Sequence, residues 1–252
     1  MTESVLTDLR DGVMTITMNR PESLNAFTRE SFHAVGDAVA EATETARAVV
    51  ITGNDRAFSS GADLQGSVQS EGLGLEAANA ILRLIVDSKI PTIAAVSGPA
   101  AGIGCSLALA CDYVVMSEES YLMLAFTKIG LMPDGGATAL VAASAGRHRA
   151  MKMALTAQKV WGKEALEWGL ASEVVAAGQQ LSRAQELAAL WAQGPPLAFA
   201  RSTDAINKAT LTTLDDAFAR EAEGQGKLRK TKDFAEGVSA FMAKRSPDFT
   251  GE

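Results

Sequence analysis

The run Ile93-Ala94-Ala95-Val96-Ser97-Gly98-Pro99-Ala100-Ala101-Gly102-Ile103-Gly104 reads as a buried strand that breaks into a glycine-rich turn. A counterpart lies upstream: Ala48-Val49-Val50-Ile51-Thr52, followed by Ser59-Ser60-Gly61-Ala62-Asp63. Small residues after a strand let backbone N–H groups come close to a ligand. Two such segments can aim two N–H groups at one oxygen, which is an oxyanion hole. Neither carries the residues that such loops use for other chemistry. No Gly-Lys-Ser/Thr follows Gly98 to Gly104, so the segment is not a phosphate loop. Gly104-Cys105-Ser106-Leu107-Ala108 lacks the second glycine of a nucleophile elbow. The dinucleotide fingerprint Gly-x-Gly-x-x-Gly is missing there too.

Outward from these segments, strands alternate with helices. Val13 to Met18 alternates like a strand and ends at the turn Asn19-Arg20-Pro21-Glu22. Thr28 is placed to cap a helix running to about Thr43. Ala48 to Thr52 is continuously apolar, as a strand buried on both faces is. Gln65 to Gly74, with glycines among polar residues, reads as a mobile loop. Helix is expected from Leu75 to Asp87 and from Gly104 to Ala110, with strands at Ile93 to Val96, Asp112 to Met116 and Tyr121 to Leu124. From Thr138 onward the pattern is mostly helical: Thr138–Ala145, Arg147–Leu155, Gly162–Trp168, Leu181–Ala192, Leu197–Asn207, Thr213–Gly224 and Asp233–Lys244. One last strand is expected at Ala171 to Val175. This order argues an α/β core followed by a helical layer or subunit interface.

Composition narrows the partners. The chain has 252 residues, enough for one large core. Its net charge of -7 argues against nucleic acid, whose backbone wants a basic surface. Cys105 and Cys111 lie in an apolar stretch and read as buried free thiols. His33 and His148 sit in polar helical surroundings, which leaves no zinc site and no histidine-based triad. Ile93 to Cys111 carries no charge, but its glycines and proline split it into strand, turn and helix rather than a membrane span. Met1-Thr2-Glu3-Ser4 has neither a basic nor an apolar signal region, so a cytoplasmic protein without membrane partners is expected.

Gly130-Leu131-Met132-Pro133-Asp134-Gly135-Gly136 is a third conspicuous segment. Pro-Asp-Gly is strong turn chemistry, which is one reading of Asp134. The other is a lone carboxylate at the mouth of an apolar pocket, where desolvation raises its pKa and makes it a usable proton shuttle. Asp63 and Asp112 are the other acids beside glycine-rich or strand-end segments, and Asp63 is expected to brace its own loop. In the tail, Phe234, Val238 and Phe241 share one helical face. That face reads either as a docking surface or as a way to hold Lys244 or Arg245 against a phosphate.

Taken together, these segments resemble the enoyl-CoA hydratase/isomerase (crotonase) superfamily along nearly the whole chain. The matching residues are Asn19-Arg20-Pro21 with Leu24-Asn25-Ala26, Ala57 to Leu64, Lys89 to Gly98, Ala101 to Ala108, Cys111-Asp112 and Gly130 to Gly136. The resemblance implies an α/β fold, a crotonase-like spiral of ββα units in residues 1–195. Residues 196–252 would form a C-terminal helical region for trimerisation and closure of the CoA pocket, with trimers able to pair into hexamers. It implies acyl-CoA thioester substrates, coenzyme A being part of the substrate, and no metal or redox cofactor. By position, the backbone N–H groups of Ala62 and Ile103 would form the oxyanion hole. Leu24, Ala26, Ser60, Ala62 and Leu64 would line the CoA channel, while Phe241 and Lys244 would reach a neighbouring subunit's ligand.

The departures from the hydratase pattern matter as much. Hydratases of the family position water with two glutamates, and here the matching positions are Ser106 and Phe126. Asp134 stands where several double-bond isomerases of the family keep a single acid. A narrower likeness, to the ring 1,2-epoxyphenylacetyl-CoA isomerases, rests on Phe126 to Gly136, Trp168-Gly169-Leu170 and Glu236 to Gly251. The expected activity is isomerisation through a thioester enolate, either shifting a double bond or rearranging a ring epoxide. Hydration with an atypical acid, or another thioester reaction of the superfamily, is the alternative.

Overall fold

A computed structural model describes residues 3–64 and 74–252. The loop read from sequence at Gln65 to Gly74 lies outside the described residues except for Gly74. Strand β1 (Val5–Arg10) turns back through Asp11 and Gly12 onto β2 (Val13–Met18), and the two pair antiparallel. Four parallel strands follow beside β2: β3 (Ala48–Thr52), β4 (Thr92–Val96), β6 (Tyr113–Ser117) and β9 (Glu173–Val175). Register carries apolar side chains across the sheet, with Ile16 opposite Ile51, Ile51 opposite Ala94 and Ala94 opposite Val114. Every residue of β3 and β4 is buried. Helices on both faces make that possible, and strands so covered need no polar alternation.

On one face, α1 (Arg29–Thr45), α2 (Leu75–Val86) and α3 (Ile103–Ala110) enclose the larger core with Phe32, Val35, Leu82, Ile85 and Leu107. Thr28 caps α1 as expected. Its hydroxyl accepts from the Ser31 N–H while the Ser31 hydroxyl accepts from the Thr28 N–H. On the other face, α7 (Gln180–Ala192) lays Ala184 and Ala188 against Val50, Ile93 and Val115.

A second, three-stranded sheet holds β5 (Pro99–Ala101), β7 (Tyr121–Met123) and β8 (Val160–Trp161). The chain therefore alternates between sheets: β4 lies in the large one and β5 in the small one, and β6 and β7 repeat the step. Gly98 makes the first switch. It has φ +51, and a Cβ there would overlap the Arg56 carbonyl oxygen. This break turns one uncharged run into strand, strand and helix, and it delivers Gly102 and Ile103 to the start of α3.

The remaining helices are α4 (Ala137–Ala145), α5 (Arg147–Thr156), α6 (Gly162–Trp168), α8 (Pro196–Thr210), α9 (Leu214–Leu228) and α10 (Lys232–Met242). Helix α8 buries none of its residues in the single chain, and Leu197 and Ile206 stand exposed. Helix α10 does dock, through Gly237, on the 3-10 turn Ala125–Ile129. Its expected apolar face is only partly covered: Val238 is buried and Phe234 half-buried, but Phe241 remains exposed. Cys105 and Cys111 are buried free thiols, as expected, and desolvation pushes Cys105 up to about 12.

Candidate active site

The two glycine-rich segments meet. Ala101 N donates to the Ser59 carbonyl at 2.9 Å, and Ser59 N donates to the Pro99 carbonyl at 2.9 Å. This parallel pairing continues until Gly61 faces Gly102. A Cβ on Gly61 would sit 3.0 Å from the Ala101 carbonyl oxygen and 3.7 Å from the Gly102 Cα. Gly61 has φ +102 and Gly102 has φ +53, so both positions favour glycine on backbone grounds as well.

Ala62 and Ile103 follow these glycines. Ala62 bridges to Phe27 through its neighbours, because Phe27 N donates to the Gly61 carbonyl and Asp63 N to the Phe27 carbonyl. The Ala62 N–H therefore faces away from Phe27. Ile103 is the first residue of α3, whose N-cap Gly102 has no side chain to cap it. Among the described residues neither N–H has a protein acceptor. Uncapped N–H groups at a helix start suit an anionic oxygen.

The segment expected to line the CoA channel is cross-tied. Ser60 N donates to the Leu24 carbonyl at 2.9 Å, and the Ser60 hydroxyl to the Ser23 carbonyl at 3.0 Å. Leu24 and Asn25 both have left-handed φ. Buried Asn25 holds that turn by donating to the Ala57 carbonyl and accepting from Arg20 N. The Arg20 guanidinium reaches the Asp63 carboxylate at 3.1 Å, so Asp63 braces its loop as expected. Ala26 is buried and its carbonyl accepts from Arg20, whereas Ala62 and Leu64 are half-buried. Leu24, Ala26, Ser60, Ala62 and Leu64 thus share two adjacent segments. Phe241, in the last turn of α10, and Lys244, just beyond its end, are both exposed, and Arg245 is paired with Glu236 rather than free for a phosphate.

Asp134 comes to the same place from the other side. The turn it occupies uses Gly135 at φ +68 and Gly136 at φ +75. A Cβ on Gly135 would overlap Ile103 Cδ1 and fall 2.8 Å from Leu82 Cδ1 and 3.1 Å from Ser106 Cβ. The acid loop and the hole are therefore in direct contact. Ser106 is fully buried and donates to the Asp134 carbonyl oxygen at 2.8 Å. Phe126, also buried, brings its ring to 3.8 Å from where a Gly102 Cβ would be.

Asp134 is buried, with 7% of the residue exposed. Burial pushes its pKa up to about 7; the Gln225 amide pulls it down, the Glu221 charge raises it and Arg229 lowers it. Gln225 Nε2 donates to Asp134 Oδ2 at 2.7 Å. Glu221 has no exposed surface and accepts from Gly136 N, Thr138 N and the Thr138 hydroxyl. These contacts close the loop at the start of α4. Burial raises the Glu221 pKa against those three donors. The sequence reading missed both residues. Their signal was the buried stripe Leu214, Ala217, Phe218, Glu221, Gln225, where polar residues continue an apolar helical face.

Among the described residues, no group of three or more His, Cys, Asp and Glu is placed to hold a metal ion, and no helix is long and apolar enough to cross a membrane. What the site offers is two N–H donors and one buried acid. Such a site suits proton transfer next to a carbonyl whose oxygen gains negative charge.

Comparison with known proteins supports that class. Residues 8–252 match the enoyl-CoA hydratase/isomerase family model. A probable enoyl-CoA hydratase from Rhodobacter capsulatus is 41% identical over 249 residues, covering 97% of this chain and 96% of its own. A 1,2-epoxyphenylacetyl-CoA isomerase from Escherichia coli is 38% identical over 262 residues, covering all of both chains. The crystal structure of an enoyl-CoA hydratase from Mycobacterium avium subsp. paratuberculosis superposes with a TM-score of 0.92 at 45% identity, covering 99% of this chain and 100% of that one. The fold and site thus define a crotonase-superfamily enzyme acting on CoA thioesters. The chain belongs to the enoyl-CoA hydratase/isomerase family.

Proposed function

We propose that this enzyme is an acyl-CoA isomerase in which Asp134 alone moves the proton. The observation that carries the reading is the buried Asp134 carboxyl, with a pKa near 7, beside a hole flanked by Ser106 and Phe126. At neutral pH such a group both accepts and returns a proton readily. Ser106 is engaged with the Asp134 carbonyl, and Phe126 lends an apolar wall where a hydratase would place a second acid. That wall discourages addition of water.

With a 3-enoyl thioester, the Asp134 carboxylate takes a proton from C2. The C2–H electron pair moves toward the thioester carbonyl, and its oxygen becomes an enolate held by the N–H groups of Ala62 and Ile103. The protonated Asp134 then donates to C4, leaving the double bond between C2 and C3. A ring epoxide next to the same thioester carbon could be opened through the same enolate. The CoA portion is assigned to the channel between Leu24–Ala26 and Ser60–Leu64. Residues 196–252 are assigned to trimer formation, supported by the uncovered α8, with Phe241 and Lys244 reaching a neighbouring subunit's ligand.

Assay of Asp134→Asn against 3-enoyl-CoA and ring-epoxide acyl-CoA substrates tests this reading; full retained activity would refute it. The hydratase names of two relatives favour a second reading, in which Asp134 activates water. Incubation with 2-enoyl-CoA separates the two. Steady loss of the conjugated thioester absorbance favours hydration, whereas its appearance from 3-enoyl-CoA favours isomerisation.

A further inference from the structure

Gln225 is almost sealed from solvent, at 1% exposure, on the inner face of α9. Its Nε2 donates to Asp134 Oδ2, yet its Oε1 is buried and accepts from nothing among the described residues. A buried amide oxygen without a donor is costly and calls for a reason. The chemistry of a proton shuttle supplies one. A carboxylate can only accept hydrogen bonds, whereas a carboxylic acid also donates one. A primary amide carries a donor and an acceptor on one planar group. Rotation about its last side-chain torsion, which is broad and roughly two-fold, exchanges them.

We propose that Gln225 is the positioning residue for Asp134 in both protonation states. Its NH2 donates to the carboxylate before proton uptake, and its Oε1 accepts from the carboxylic acid after it. The amide thereby holds the carboxyl group at a constant place while the proton travels. This rests on the assignment of Asp134 as the shuttle.

Among the described residues the surroundings offer no substitute. The loop from Gly130 to Thr138 has no other titratable side chain. Helices α2 and α3 face the loop with Leu82, Ile103 and Ser106. The charged groups acting on Asp134 are Glu221, on α9 like Gln225, and Arg229, the residue that caps the end of α9. Glu221 is held by Gly136 and Thr138, so among the described residues Gln225 alone contacts the carboxylate by hydrogen bond.

The experiment follows the infrared carbonyl band of the protonated Asp134 carboxyl between pH 5 and 9 without substrate, identified by its loss in Asp134→Asn. Gln225→Leu removes the donor and is expected to raise the midpoint by about one pH unit, since hydrogen bonding to the anion favours the anion. Gln225→Glu retains the polar reach but adds a like charge, and is expected to raise it further. In Gln225→Leu, kcat is expected to fall at least tenfold while KM changes less than threefold. Should Gln225→Leu fail to fold, the Gln225→Glu titration carries the test. An unchanged midpoint in the variants that fold would overturn the role of Gln225, whatever Asp134→Asn does. Full activity of Asp134→Asn would instead overturn the shuttle, and the midpoints would still report the Gln225–Asp134 contact.

Discussion

The two halves of the site are built from different materials. The proposed hole is a backbone structure: main-chain hydrogen bonds tie Ser59 to Pro99 and Ala101, Gly61 to Phe27 and Gly102 to Met123, and the side chains of Ala62 and Ile103 are incidental to the proposed donors. The acid is a side-chain structure: Asp134 is held by Gln225, its loop by Glu221, and its carbonyl by Ser106. Backbone geometry tolerates most substitutions and fails abruptly where glycine is required. Side-chain geometry fails residue by residue, in proportion to what each contact contributes.

The largest expected effect is on the acid half. Asp134→Asn is expected to lower kcat by about 10³, within the usual range for losing a general acid–base. In the wild type, kcat/KM is expected to fall below pH 7 as the carboxylate is protonated, and a pH-rate profile checks both.

The same group shapes stability. Its folded pKa of about 7 exceeds the ordinary 3.8, so the folded state binds more protons between those values. Stability is then greatest below the unfolded pKa and declines as pH rises through about 7. At about 1.4 kcal/mol per pKa unit, the loss amounts to a few kcal/mol. Asp134→Asn is expected to gain on the wild type between pH 4 and 7 and to hold that gain above, as read by denaturant titration at each pH.

The backbone half breaks at its glycines. Gly102→Ala forces an alanine to φ +53 and ψ -129 and is expected to cost about 10² in kcat, close to the loss of one oxyanion donor. If both halves depended on side chains equally, this change would be mild. Glu221→Leu leaves the Gly136 and Thr138 N–H groups without their acceptor and is expected to cost about 2 kcal/mol in stability. Its denaturation midpoint should fall with an unchanged slope. Ser106→Ala, the smallest change, removes one neutral hydrogen bond and is expected to cost about 1 kcal/mol in the same measurement.

This contrast also explains what the sequence disclosed. The two glycine-rich segments that meet at the proposed hole were legible because each follows an apolar strand. Most helices were legible from period and caps, down to Gly162–Trp168 and the Thr28 cap. Strand β1 was missed because its exposed face leaves no alternation, with Leu6 and Leu9 both open to solvent. Strand β5 was missed because proline and two alanines inside a glycine-rich run look like a turn. Asp134 stood out, but its partners did not. Glu221 and Gln225 lie on a helix far downstream, and only tertiary packing brings them to the loop.

The Ser106 bond has a consequence for how the substrate moves. It ties the helix that begins at Ile103 to the carbonyl of Asp134 and thereby acts as a caliper between hole and acid. Gly135, wedged against Ile103, keeps that caliper from sliding. With its jaws locked, the acid of the proposed shuttle cannot itself travel from C2 to C4. The acyl chain must do the swinging, pivoting about an oxygen that stays still.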